Sequence, residues 1–490
     1  MRRSILRGAV WAGACVLVLL AVVVLRTLAS SPSTREFVAA EPVDFDEDAA
    51  LERLASALRI STIATEADCG PPTKQVSALR LHLQRAYPAV RSSVPVEVSG
   101  FGALLYRFEG LEPELDPVVL LAHLDVVPVQ DETAWTHPPF SGVIADGFLW
   151  GRGALDDKAG ACAQLEALEY LASRRERPRR TVYLAFGFDE EIGGECGAKG
   201  LAQQLEESLA GRGVHPAFVL DEGYAVLDGI VPVTEARVAA IGVAEKGLCS
   251  LELVVQSTGG HASMPPRATA IGILSEAIAA VQARPFAGGL EGPAGDFFER
   301  LTPHADFLPR AVLANRWLFG GLLERQLAAE NSTNAILRTT VAATIFESGV
   351  ADNVLPGEAR AVLNLRLHPR DSVESAVQWV RASIDDPRVE VRLLEGSHEP
   401  SPVSPASGAG WDALELAIRQ TFPDAIVAPS LVVAATDARW YTGLTPHVYR
   451  FRPYPLVPDD LARIHGVDER IRAEDYARMV RFYVALLRAL

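Results

Sequence analysis

Hydrophobic positions along the chain follow three patterns. A nearly unbroken apolar run covers residues 9–25, with Arg2, Arg3 and Arg7 before it and Arg26 after it. Further on come short continuous apolar runs that stop abruptly at imidazole or acid. Residues 117–122 end in His123-Leu124-Asp125, residues 181–188 in Asp189-Glu190-Glu191, and residues 217–220 in Asp221-Glu222-Gly223. Such runs predict strands buried on both faces, as in a mainly parallel sheet covered by helices. Residues 158–171 have the apolar spacing of a crossover helix between two of them. In open α/β sheets ligands bind beyond the carboxyl ends of the strands, so three strands bring His and carboxylates to one edge. One run ending in an acid would mean little; three in succession argue for a metal site.

From about Gly242 the pattern changes. Residues 248–256, 337–346 and 358–367 predict strands, and residues 268–283 and 372–384 predict amphipathic helices. That alternation suits a small two-layer α/β unit with one sheet face covered. Sequence of the first type resumes near Gly396, so the unit reads as inserted. The expected organisation is an N-terminal segment (1–42), a first catalytic part (43–241), the insertion (242–396) and a second catalytic part (397–490). Within the insertion, residues 285–331 are rich in Gly, Phe and Leu and include Trp317. They predict either an extra helical hairpin bracing the inserted unit or an apolar cover over a greasy substrate.

The N-terminal run, about 17 residues, is at the short end of what spans a bilayer as a helix. The flanking arginines favour a cytoplasmic N-terminus and an exported body. Thr27-Leu28-Ala29 offers a small-residue cleavage site, so a signal peptide is the rival reading. Because the run exceeds a usual signal core, the expectation is an uncleaved anchor, residues 30–43 as a tether, and an extracytoplasmic body.

Charge and composition narrow the chemistry. The 490 residues hold 62 acidic and 46 basic side chains, for a net charge of −16. Such a chain has no electrostatic reason to seek nucleic acid. Five cysteines exclude a disulfide-built scaffold and sit at no metal-ligand spacing. In an exported body a pair of them can oxidise, but the sequence does not choose which. Ligation by imidazole and carboxylate without thiolate suits zinc, with cobalt or manganese as alternatives. Two divalent ions about 3.5–4 Å apart can share one carboxylate and a water across a substrate carbonyl. That requires about five protein ligands and one free carboxylate as base. Two more residues complete the count: Asp156 in Gly151-Arg-Gly-Ala-Leu-Asp156-Asp-Lys158, and His465 in Ile464-His465-Gly466. Alone, each would read as a helix cap or a loop residue.

Taken together these motifs resemble the M20 family of metallopeptidases, in the branch of carboxypeptidase S and the N-fatty-acyl-amino-acid hydrolases. The resemblance covers essentially all of the chain after the anchor. It rests on His123-Leu-Asp125-Val-Val-Pro128, residues 135–140, the Gly151-to-Lys158 motif, Asp189-Glu190-Glu191 and Leu220-Asp221-Glu222-Gly223. It continues through Gly259-Gly-His261-Ala-Ser263, Asp352-Asn353-Val-Leu-Pro356 and Ile464-His465-Gly466. The order, with about 30–35 residues between the first four ligand groups, makes chance agreement very improbable. The sequence departs from the family at Ala434-Ala435-Thr436-Asp437, where members often carry Gly-Thr-Ser-Asp.

The resemblance implies a di-zinc exopeptidase-like catalytic domain with an inserted lid that can also form a homodimer. His123, Asp156 and Asp221 would bind one ion; Asp156, Glu191 and His465 would bind the other, with Asp156 bridging. Asp125 would orient His123, and Glu190 would be the general base. His261 would stabilise the oxyanion on lid closure, and Asn353 and Arg366 would hold a substrate carboxylate. For Arg366 the alternative is a structural Asp or Glu partner, since an unpaired guanidinium in an apolar strand is expensive. The implied activity is cleavage of the amide between an acyl or peptidyl group and an amino acid with a free carboxylate. A non-catalytic, membrane-anchored binding protein on the same fold is the competing class. It should have lost the base or several ligands, and here all are present. A phosphate-binding loop and a Gly-x-Ser-x-Gly elbow are absent from the sequence.

Overall fold

The computed structural model describes residues 2–30, 41–65, 69–70, 72–99 and 101–490, with residues 2–10 described by their helical backbone alone. The runs that end in acid are indeed central strands. Val118–His123 and Val182–Gly187 are buried along their whole length and pair in parallel, Val118 opposite Val182. They belong to an eight-stranded sheet in the order Val96–Val98, Leu104–Phe108, Val182–Gly187, Val118–His123, Phe218–Leu227, Val448–Leu456, Val238–Glu245, Ile426–Val432. Its four central strands run parallel. The two strands before them are antiparallel, and Val238–Glu245 is antiparallel to both of its central neighbours. The sheet is therefore mixed, where a mainly parallel one was expected. The difference arises because Phe218–Leu227 continues past Asp221 and Glu222 and turns back directly into Val238–Glu245 without a crossover helix. Lys158–Ser173 is the expected crossover helix, buried nearly all round because Ala473–Ala489 packs across it.

A second sheet orders Thr340–Ser348, Glu358–Leu367, Gly247–Gln256 and Val389–Leu393, all antiparallel. Ala270–Ala283 and Val373–Ile384 cover one face, and Leu251, Leu253, Leu274, Leu363, Leu365 and Val380 form a core separate from that of the large sheet. This is the two-layer unit the alternation predicted. Residues 293–337 do not share its core. Their helices Pro293–Leu301, Phe307–Ala314, Arg316–Leu327 and Asn331–Leu337 place Phe297, Phe298, Leu301, Leu313 and Leu327 in the core of the eight-stranded sheet, with the first of them packed against Ile426–Val432. The stretch thus braces the catalytic sheet rather than the inserted one.

Arg2–Ala29 is one helix, and its segment Trp11–Ala29 is long and apolar enough to cross a membrane by length and composition, with mean hydropathy 2.5. Most of the tether expected at 30–43 falls on residues 31–40, outside the described residues. Cys69 and Cys196 form a disulfide, tying the segment before Lys74–Ala86 to the loop after Glu190-Glu191. This settles the pairing that the sequence left open. Cys15, Cys162 and Cys249 are free.

Candidate metal centre

The strand ends converge as follows. His123 closes the buried strand Val118–His123, and its Nε2 lies 2.9 Å from Asp156 Oδ1 and 3.5 Å from Glu222 Oε1. On the other side of Asp156, Oδ2 lies 3.2 Å from His465 Nε2, which is also 3.2 Å from Glu191 Oε2. Two three-residue groups result, His123–Asp156–Glu222 and Asp156–Glu191–His465, and Asp156 gives one carboxylate oxygen to each.

Asp221 does not join the first group; Glu222 does. Side chains alternate along a strand, so only one of two neighbours can face the cleft. Asp221 turns the other way: its Oδ2 accepts from the Ala438 N–H at 2.6 Å and its Oδ1 from the Glu222 N–H at 2.9 Å. Burial, followed by the Glu222 charge, pushes its carboxyl up to about 7. The sequence contained the signal, an acid pair on one strand, but not its phase.

Asp125 is buried beneath the centre. Its Oδ1 is 3.4 Å from His123 Nδ1, and its two oxygens accept from the Glu190 and Glu191 N–H groups at 3.2 and 3.1 Å. One carboxylate thus fixes both the imidazole and the turn that carries the acid pair. Asp156 is placed by a second device. Glu469 Oε1 accepts from the backbone N–H groups of Gly153, Leu155 and Asp156, while Arg152 pairs with Glu469 and donates to the carbonyls of His465 and Gly466. The loops carrying Asp156 and His465 are thereby locked together, with His465 held at φ +61. Arg452, buried in Val448–Leu456, donates to the Leu155 carbonyl at 2.6 Å and lies 3.2 Å from Asp156 and 3.0 Å from Glu222. Arg452 and Glu469 escaped the sequence reading. Two arginines in an apolar strand (Arg450 and Arg452) were the available hint, because each must find a carboxylate.

The electrostatics are those of a cation site. Burial opposes an imidazolium at His123, but hydrogen bonds to Asp125, Asp156 and Glu222 prevail and hold it well above its usual range. Contacts with Asp156 and Glu191 raise His465 to about 10. Burial, with the neighbouring Glu222, Asp437 and Asp156 charges, pushes Glu190 well above the carboxylate range. Glu191 Oε1 is buried without a hydrogen-bond partner. A surplus of carboxylates, two imidazoles and an orphaned buried oxygen fit divalent ions at the two groups.

The remaining expected residues lie on the inserted sheet unit. His261 pairs with Val354 in a short exposed ribbon, Ala262 N–H donates to the Asn353 carbonyl, and His261 Nδ1 accepts from Ser263 N–H. Among the described residues no hydrogen bond or ion pair joins His261, Asn353 or Arg366 to the metal-ligand groups. Arg366 sits half-buried on Glu358–Leu367 with no carboxylate partner among the described residues, and burial lowers its pKa. Where family members carry Gly-Thr-Ser-Asp, Thr436 donates through N–H and Oγ1 to the buried Glu245, itself paired with Arg450. The loop is held from below by that pair.

Residues 119–489 match the family described as "Peptidase family M20/M25/M40". The chain is 40% identical over 482 residues to the N-fatty-acyl-amino acid synthase/hydrolase PM20D1 of Xenopus tropicalis, covering 96% of this chain and 92% of that one. To carboxypeptidase S of Saccharomyces cerevisiae it is 29% identical, over 89% of this chain and 83% of the other. Among solved structures, the M20 family metallo-carboxypeptidase Sso-CP2 of Sulfolobus solfataricus shares the fold, with a TM-score of 0.65 at 18% identity over 91% of this chain and 99% of the other.

Proposed function

Because the chain belongs to peptidase family M20/M25/M40, an assignment that makes it a hydrolase, we propose that it is a di-metal amidohydrolase of N-acyl amino acids. The observation that carries this reading is Asp156, whose two carboxylate oxygens each face a separate ligand group. His123, Asp156 and Glu222 would hold one ion, and Asp156, Glu191 and His465 the other, with zinc as the proposed metal. Such ions supply Lewis acidity toward the substrate carbonyl and a readily deprotonated water.

The protein's own groups do the rest. Glu190 takes the proton of the attacking water and delivers it to the departing amine nitrogen, a task suited to a carboxyl whose proton affinity burial has raised. Asp125 keeps Glu190 and Glu191 on divergent paths by holding both of their N–H groups. Closure of the inserted unit brings His261 to the oxyanion, and Arg366 and Asn353 to the carboxylate of the amino-acid half. Arg366 is suited to that role because its planar fork has no carboxylate partner among the described residues. Amide cleavage is reversible, so condensation of a fatty acid with an amino acid proceeds through the same site. The apolar N-terminal helix is proposed as an uncleaved anchor with the body outside the cytoplasm. The exposed outer strand Thr340–Ser348 is proposed as a dimer contact.

The test is a kinetic series on one amino acid, acylated from acetyl to oleoyl, each as free acid and as amide, with dipeptides alongside. Rates that rise with acyl length and collapse on amidation support the proposal. Preference for dipeptides would place the protein with the carboxypeptidases, and indifference to amidation would remove the carboxylate clamp.

A further inference from the structure

The N-terminal helix is not isolated from the body. Thr27 is fully buried, and so is Asn315, which sits between Phe307–Ala314 and Arg316–Leu327. Asn315 Nδ2 reaches the Val23 carbonyl at 3.3 Å and Thr27 Oγ1 at 3.4 Å. Both Val23 and Thr27 lie inside the apolar segment Trp11–Ala29. Val23 precedes the end of that segment by about six residues, or about 9 Å of helix at 1.5 Å per residue. If Trp11–Ala29 fills the hydrocarbon layer, Asn315 and its neighbours cannot stay above the membrane surface while keeping this contact.

The neighbouring surface has the composition that such a position requires. Leu308 is 75% exposed and Leu322 63%, and Phe307, Trp317 and Leu318 are exposed beside them. Trp317, Leu318 and Leu322 share one side of their helix, opposite the buried Leu323 and Leu327. Five large apolar side chains on two adjoining helices, continuous with a membrane-type helix, form a patch that water alone would not favour. A tryptophan among them suits the headgroup boundary.

We propose that the helical pair 307–327 is a second membrane contact, seated about 5–10 Å into the outer leaflet alongside the N-terminal helix. The bilayer is its occupant, and the body lies against the lipid surface rather than on a free tether. This rests on reading the N-terminal helix as an uncleaved anchor.

Full-length protein in phosphatidylcholine liposomes carrying nitroxides at defined acyl depths tests it. One sample bears an environment-sensitive fluorophore on native Cys15, which is exposed, whereas Cys162 and Cys249 are buried. In a Cys15→Ser background the label sits instead at Leu308→Cys, Leu322→Cys or Leu111→Cys. Leu111 is exposed and follows Leu104–Phe108, on the flank of the large sheet opposite Ile426–Val432. The expected result is loss of most fluorescence at positions 308 and 322 with shallow nitroxides and none at 111, in proteins whose thermal unfolding is unchanged. Quenching at Cys15 by deep nitroxides with none at 308 and 322 overturns this inference and leaves the anchor standing. Labels at 308 and 322 that escape the nitroxides but become shielded as protein concentration rises also overturn it, in favour of a second copy on this face. An unquenched Cys15, or its absence from the intact mass, removes the anchor and the inference with it.

Discussion

The metal-ligand groups and the inserted sheet's functional residues belong to one proposed reaction but are built in opposite ways. His123, Asp125 and Asp156 are buried, and each touches several partners before any substrate arrives. His261 is exposed, and Arg366 has no carboxylate partner among the described residues. The difference matches the roles proposed for each. Charged ligands spaced for cations must be fixed in advance, since a loose carboxylate would lose the entropy advantage of a rigid site. In the proposed reaction His261 and Arg366 would meet the substrate only on closure, and a carboxylate partner held in the open state would compete with it.

The largest effect is expected where the chemistry is removed and the scaffold kept. Glu190→Gln should lower kcat by about 10²–10⁴-fold with metal content unchanged in elemental analysis. Asp156→Ala should lose both ions, because both groups share that residue. If Glu190→Gln emptied the site, Glu190 would be a ligand and its division of labour with Glu191 would be reversed.

On the inserted side the expected signature is the reverse: full metal content and weakened substrate handling. Arg366→Ala should reduce kcat/KM for the free acid by about 10²-fold, and hardly at all for the amidated substrate. An equal loss on both would mean that Arg366 supports the sheet rather than a carboxylate.

A milder perturbation probes how the fixed side is kept fixed. Among the described residues no hydrogen bond or ion pair joins Glu469 to a proposed ligand side chain, yet it gathers three backbone N–H groups ahead of and at Asp156 and holds Arg152 against the His465 turn. Glu469→Gln should keep the fold while weakening metal affinity by about 10–100-fold, the usual cost of losing a supporting contact. Titration with a competing chelator measures this directly, and an unchanged affinity would show that the two loops hold themselves.

These supporting residues also mark where the sequence stops being readable. The strands that end in acid, the crossover helix and the two-layer insertion all follow from periodicity, because burial on one or two faces leaves a repeating trace. His123 and Glu191 stood out because charge at the end of an apolar run is rare, whereas Asp156 and His465 became visible only from the count of ligands and the order of the motifs. The choice between Asp221 and Glu222 was not legible, since it depends on strand phase and on a backbone N–H at Ala438 more than 200 residues away. Glu469 and Arg452 were hidden for the same reason: their partners exist only after the second catalytic segment folds back onto the first. The 285–331 stretch read as apolar and helical, but nothing in its composition names the sheet it packs on.

The smallest effect sits at the joint between the two regions. Lys246 lies between Val238–Glu245 of the large sheet and Gly247–Gln256 of the inserted one, and it is buried. Its ammonium donates to the carbonyls of Ala335 and Arg338 and to Thr340 Oγ1, with no carboxylate within ion-pair distance among the described residues. Burial, and then the nearby Arg366 charge, lower its pKa to about 7. In the unfolded chain a lysine keeps its proton to about pH 10.4. Between those values the unfolded state binds more protons than the folded one, so stability should rise as pH rises, by at most about 1.4 kcal/mol per pH unit. Below pH 7 both states are protonated and the slope from this residue vanishes. Denaturant titrations at pH 7 and pH 9 on wild type and Lys246→Met isolate the contribution, because the other titrating groups are common to both. Wild type should gain on the variant between the two pH values. Parallel pH dependences would mean that three neutral acceptors suffice to keep the ammonium charged at the joint, and that the inserted sheet is attached to the catalytic one without an electrostatic penalty.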